Sequence, residues 1–234
     1  MRIALAPRDL SAYHETVRRR GIQRRPLYWA ARATIPLVAR VWFRLRRHGH
    51  RHIPHRGAVI IASNHRSLLD PFIVSACVHR PVYYVAKGEL FGGRLRGWLL
   101  NGLGAFPVRR GESDDDLITT ARMLLARGEA LLIFAEGTRT PRAELGKPHR
   151  GVGRLALMTW APVVPTVLCG TDRARRGWRV RPVKIRTWCS DPIRFERLDT
   201  VTGEAAREAT AAIWQQVAEL WSQTPPECRR EKVR

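Results

Sequence analysis

The chain has 234 residues, enough for one sizeable α/β domain with an appendage, and 44% of them are apolar, which excludes a disordered polymer. It carries 42 basic against 20 acidic residues, a net charge of +22, and only Lys87, Lys147, Lys184 and Lys232 are lysines, so arginine supplies most of the excess. A surface of that sign attracts polyanions, and three partner classes compete for it: nucleic acid, anionic lipid and acidic carrier proteins.

Residues 1–25 are polar and end in basic bursts, Arg18-Arg19-Arg20 and Arg24-Arg25, without the apolar core of a signal peptide. Residues 26–49, PLYWAARATIPLVARVWFRLRRHG, predict a helix kinked at Pro36. Its longest charge-free stretch is seven residues, far short of the ~20 that a spanning helix needs. Arg32, Arg40 and Arg44 fall on one stripe at helical spacing, and Trp29, Ile35, Leu37, Val38, Val41, Trp42 and Leu45 fill much of the rest. Such a segment either lies in a membrane interface or docks on the domain with its arginines in solvent. The two tryptophans and the excess of arginine favour the interface.

His48, His50, His52 and His55 come next, in HGHRHIPH. Alternation would put the first three on one face of a lead-in strand. No carboxylate or cysteine stands nearby and the flanking arginines repel a divalent cation, so no metal site is expected.

From residue 57 short apolar runs alternate with helical stretches, the rhythm of an α/β domain with a mixed, largely parallel sheet flanked by helices. The runs are Ala58–Ser63, Val82–Ala86, Ala105–Val108, Ala130–Ala135 and Pro162–Leu168. A helix opens at Ser113, with Asp114, Asp115 and Asp116 in its first turn, and stops at Gly128. Trp178–Trp188 reads as a strand with cations on one face, and 203–222 as a helix with Ile213, Trp214, Val217, Leu220 and Trp221 at core spacing. The resulting division is a membrane-interface segment over 1–50, an α/β domain over 51–222, and a disordered basic tail over 223–234. Cys77, Cys169, Cys189 and Cys228 show no CxxC spacing, and four reduced thiols are expected.

The chemistry sits at the exits of these runs. Asn64-His65, Lys87, Arg109-Arg110 and Glu136-Gly137-Thr138-Arg139 leave four separate runs, and in a parallel sheet the strands' carboxyl ends share one ligand-binding edge. His65 and Asp70 have the makings of the His–Asp half of a serine-hydrolase triad, but no GxSxG elbow exists, so the nucleophile must be a substrate hydroxyl. Ser67-x-x-Asp70 fits a helix capping box as well, in which case His65 merely satisfies the backbone.

NHRSLLD, GAFPVRRG, FAEGTR and APVVPTV, in this order over roughly residues 55–195, resemble the four blocks of the glycerolipid acyltransferase family, typified by 1-acylglycerol-3-phosphate acyltransferase. The resemblance implies catalysis by His65 and Asp70. It implies acceptor binding by Arg110, Glu136, Gly137, Thr138 and Arg139, with both arginines on the acceptor phosphate, although Arg109 stands where an acidic residue is common. It implies an acyl pocket shaped by Val164 and Pro165, and, through AKGEL, a Lys87 facing the same site.

The implied reaction moves an acyl chain from acyl-CoA or acyl carrier protein to the free hydroxyl of 1-acyl-sn-glycerol-3-phosphate, giving phosphatidic acid. It needs no cofactor, and it runs at an anionic membrane surface on the cytoplasmic face of the cell membrane, with the protein peripheral or monotopic. Another polar lysolipid is the alternative acceptor. A nucleic-acid module is the reading from a different class, and no recognition motif accompanies the charge for it.

Overall fold

Five apolar runs of the sequence become five parallel strands. In the computed structural model, which describes residues 11–20, 26–108, 115–140, 144–176 and 179–229, these are β2 (Val59–Ser63), β3 (Val82–Lys87), β4 (Ala105–Val108), β5 (Ala130–Phe134) and β6 (Val163–Cys169). β1 (Arg46–His48) and β9 (Arg186–Cys189) complete a seven-stranded sheet of order β1-β9-β6-β2-β5-β3-β4. β9 runs antiparallel to β6, and β1 runs parallel to β9. The sheet is therefore mixed and largely parallel. A separate ribbon joins β7 (Arg175–Arg176) to β8 (Arg179–Val180).

The helices are α1 (Ser11–Arg20), α2 (Pro26–Val41), α3 (Asp70–Cys77), α4 (Arg94–Gly102), α5 (Asp115–Ala126), α6 (Gly151–Thr159) and α7 (Gly203–Ser222). The β2 run is apolar throughout because both sheet faces are covered. Val59 and Ile61 join a cluster with Ala39 of α2 and Ile73 and Val74 of α3. Ile60 and Ala62 point to the other face, against Leu124 of α5, Val152 and Leu155 of α6, and Ile213 of α7. This period-two division is what a strand buried on both sides requires.

The connections create a crevice. β2 leads into α3 on one face, whereas its neighbour β5 leads into α6 on the other. Two adjacent parallel strands whose outgoing chains part to opposite faces form a topological switch point, where open α/β sheets bind ligands.

Several sequence expectations are corrected. The boundary at residue 50 cuts the sheet, because β1 pairs with β9 through Arg46–Arg186. The lead-in strand ends at His48, and His50–His52 form a 3-10 turn after Gly49, whose φ is 67°. Trp178–Trp188 is not one strand: residues 181–185 are irregular between β8 and β9, where Pro182 lacks the N–H a ladder needs. Residues 223–229 are ordered, with Pro226–Cys228 in a 3-10 turn and Cys228 disulfide-bonded to Cys169. Four free thiols therefore become two, Cys77 and Cys189.

The amphipathic helix forms, but Arg44 lies beyond its end at Val41. Arg32 turns inward and donates to the carbonyls of Ser75 and Val78, satisfying the end of α3. Tyr28 and Ala39 face the core, while Trp29, Leu37, Val38, Val41 and Trp42 stay exposed. Among the described residues no helix is long and apolar enough to cross a membrane.

Candidate active site

The site begins with a locked strand exit. Asn64 is fully buried, and its amide pairs with both backbone groups of Leu168 on β6: Nδ2 donates to the carbonyl at 3.1 Å, and Oδ1 accepts from the N–H at 2.7 Å. The chain then turns into α3. Asp70, the first residue of α3, folds its fully buried carboxylate back beneath the turn. Asp70 Oδ2 accepts from the backbone N–H groups of Arg66 and Ser67, at 2.6 and 2.7 Å, and from His65 Nδ1 at 2.8 Å. Half of the expected capping box forms, the bond from the Ser67 N–H to Asp70 Oδ2, and the same oxygen holds the imidazole, while α3 itself begins after Leu69 without a side-chain cap. In the neutral imidazole, Nδ1 donating to the carboxylate leaves the lone pair on Nε2. The imidazole stacks on Phe134 at 4.0 Å between ring centroids, which fixes its plane.

Glu136 lies at the exit of β5, beside β2. It is 3% exposed and spent on backbone: Oε1 accepts from the His65 N–H and Oε2 from the Gly146 N–H, both at 2.8 Å. The expected acceptor contact is thereby replaced by a positioning role, tying the His65 turn to the loop after β5. Two further bonds close the seam, Thr140 N–H to the His65 carbonyl and His149 N–H to the Ala135 carbonyl, each 2.8 Å. Gly137 has a φ of +62°, and a Cβ there would come 2.7 Å from the His149 ring, so this block requires glycine.

Thr138 and Arg139 project outward and are exposed, and among the described residues Arg139 forms no ion pair. Lys87 ends β3 at the same sheet edge, paired with Glu89 at 2.7 Å. Arg109 and Arg110 lie outside the described residues. Val164 and Pro165 are buried inside β6, Pro165 opposite Ala62 of β2. An apolar groove lies between α2 and α3, lined by Tyr28, Ile35, Pro36, Pro71, Phe72 and Tyr84, and Pro71 directly follows Asp70. The Tyr84 hydroxyl is buried there without a hydrogen-bond partner among the described residues, and burial raises its pKa above the ordinary phenol value.

Motif reading missed three contributors. Asn64 acts through β6. Arg66 is buried, 3.6 Å from Asp172 and stacked 5.0 Å over Trp221 of α7, so it pins the turn from behind. His149 covers Gly137. None has a local signal, since each partner lies far along the chain. Among the described residues no three histidine, cysteine or carboxylate groups are placed to hold a metal.

The site is therefore an imidazole held by a buried carboxylate, with an apolar groove and an exposed arginine nearby. Among the described residues no serine or cysteine side chain hydrogen-bonds His65.

The family model Acyltransferase matches residues 44–169, more than half of the chain. A chloroplastic 1-acyl-sn-glycerol-3-phosphate acyltransferase from Brassica napus is 29% identical over 49% of this chain and 33% of its own length. A lyso-ornithine lipid O-acyltransferase from Pseudomonas aeruginosa is 32% identical over 62% of this chain and 54% of its own length. The chain thus spans about a third to a half of these curated relatives. The crystal structure of the 1-acyl-sn-glycerophosphate acyltransferase from Thermotoga maritima superposes with a TM-score of 0.65 at 21% identity, over 95% of this chain and 87% of the other, which establishes the shared fold.

Proposed function

The chain belongs to the acyltransferase family, and we propose that it transfers a fatty acyl group from the thioester of acyl-CoA or acyl carrier protein to the free hydroxyl of 1-acyl-sn-glycerol-3-phosphate, releasing the thiol and phosphatidic acid. The observation that carries this reading is the His65–Asp70 pair, 2.8 Å apart at the carboxyl edge of the sheet.

In the proposed step His65 Nε2 takes the proton of the acceptor hydroxyl as its oxygen attacks the thioester carbonyl. Asp70 holds the ring tautomer and stabilises the imidazolium. Collapse of the tetrahedral intermediate forms the ester, expels the thiolate and returns the proton from His65 to sulfur. A thioester supplies its own leaving group, so this chemistry asks for no metal or prosthetic group. Arg139, with Arg110 and Lys87, is assigned to the acceptor phosphate, which a guanidinium binds bidentately. The groove between α2 and α3 receives an acyl chain.

The exposed apolar residues of α2 lie in an anionic membrane interface. The protein is then peripheral, on the cytoplasmic face. Anionic lipid and an anionic donor account for the net charge without nucleic acid.

The test is an assay of the purified protein with a panel of lysolipids and both donors. His65→Ala should lower transfer by about 10²–10⁴-fold while lysolipid binding persists. Full activity in that variant would end the proposal. The likeness to a lyso-ornithine lipid acyltransferase supports a second reading, a zwitterionic acceptor without phosphate. Turnover of such an acceptor in preference to the phosphate-bearing one would establish it.

A further inference from the structure

α4 presents a face that the domain does not use. Leu95, Trp98 and Leu99 are 77%, 58% and 41% exposed, and at helical spacing they lie within about 100° of the circumference. Arg94 and Arg96, both exposed, flank that stripe on either side. The opposite side is closed: Gly97 is buried, and a Cβ there would come 2.1 Å from the Tyr13 hydroxyl of α1, so α1 seats α4 with its apolar stripe outward.

The fold places this stripe with two other exposed apolar groups. Arg94 comes seven residues after Lys87, the last residue of β3, so α4 starts at the carboxyl edge of the sheet. Leu68, 41% exposed, sits on the turn between His65 and Asp70 at the same edge. Cys169, the last residue of β6, faces Arg186, and Arg186 faces Arg46. The chain just after Val41 and Trp42 therefore reaches that edge too.

We propose that the α4 stripe, with Leu68, forms a second membrane contact, across the site from the end of α2, so that the protein binds an anionic bilayer at two elements with the mouth of the active site between them. The arginines on both flanks select lipid over an apolar protein partner. Their stems extend over the hydrocarbon boundary and their guanidinium groups reach the phosphates. The acceptor then passes from the bilayer to His65 without crossing water. The inference rests on the interfacial part of the proposed function.

Labelling separates the two. The free native cysteines, Cys77 and Cys189, are buried, with thiols pushed up to about 12 and about 11 by burial, so a thiol-reactive fluorophore goes to an introduced cysteine. The dye is placed on Leu95→Cys and, as a control, on Trp160→Cys, an exposed site between α6 and β6 at the opposite edge. On vesicles of phosphatidylglycerol and phosphatidylcholine the dye at 95 should shift to the blue and be quenched by brominated lipid, and the dye at 160 should do neither.

A bound protein whose dye at 95 stays in water overturns the α4 contact alone; failure to bind the vesicles at all overturns the interfacial reading with it. Leu95→Ser with Trp98→Ser should cut transfer to vesicle-embedded acceptor by about tenfold or more, and leave a water-soluble short-chain acceptor unaffected. Equal loss on both acceptors overturns the proposal.

Discussion

Arg139 and Glu136 stand three residues apart in one block and have opposite fates. Glu136 is buried and fully engaged by the N–H groups of His65 and Gly146. Arg139 is exposed and unpaired among the described residues, so its charge is available to a ligand. Arg139→Ala should raise KM for a phosphate-bearing acceptor by about 10–100-fold, the loss of one charge-assisted bond or a bidentate pair, while KM for a phosphate-free lysolipid stays unchanged. Steady-state kinetics on both acceptors checks it, and a matching rise on the phosphate-free lysolipid refutes the assignment. His65 and Asp70 were legible in the sequence because their coupling is local, a turn and one carboxylate. The role of Glu136 was not, because its partners are backbone groups of a neighbouring strand exit and a distant loop. Arg66 was equally opaque, since its meaning depends on Asp172 and Trp221.

Elements with strong periodicity are the ones the sequence defines well. α7 spans Gly203–Ser222, the range its apolar spacing predicts, and Thr202 caps it by accepting from the Ala205 N–H at 3.1 Å. Trp178–Trp188 failed because alternation says nothing about Pro182 or about where the ladder can pair. α2 was read correctly as amphipathic, yet Arg32 turns inward because the carbonyls ending α3 need donors, a demand that α3 alone creates.

The α6–α7 crossing shows packing deciding against propensity. A Cβ on Gly153 would come 2.5 Å from the Ala206 carbonyl oxygen and 2.6 Å from the Thr210 N, both backbone atoms. Alanine in a helix gains about 0.5–1 kcal/mol over glycine, while forcing two helices apart costs about 1–3 kcal/mol. Gly153→Ala should therefore destabilise. Gly151→Ala, in the same helix with nothing within 4 Å of its Cβ, should not. Denaturant midpoints of the two variants decide it, and a stabilised Gly153→Ala would show that the crossing has room for the added methyl.

The whole molecule is polarised along its strands. The carboxyl edge carries the His65 site, and the amino edge gathers His50, His55 and His79, where β1 ends and β2 and β3 begin. His50 and His79 both have lowered pKa values. Partial burial is the main cause for each. Arg47, His79 and Arg51 add repulsion at His50, and Arg47, His55 and Arg32 add it at His79. A histidine of the unfolded chain takes its proton near pH ~6.5, and the folded protein resists until the pH is lower. Between those values the unfolded state binds more protons, so stability is complete above about pH 6.5 and falls as the pH drops through that window. Chemical denaturation at about pH 7.5 and about pH 5.5, on either side of the histidine titration, should show the loss. His79→Asn should shrink it by removing one suppressed titration and part of the repulsion on His50. An unchanged difference between the two pH values would place the acid sensitivity elsewhere in the molecule.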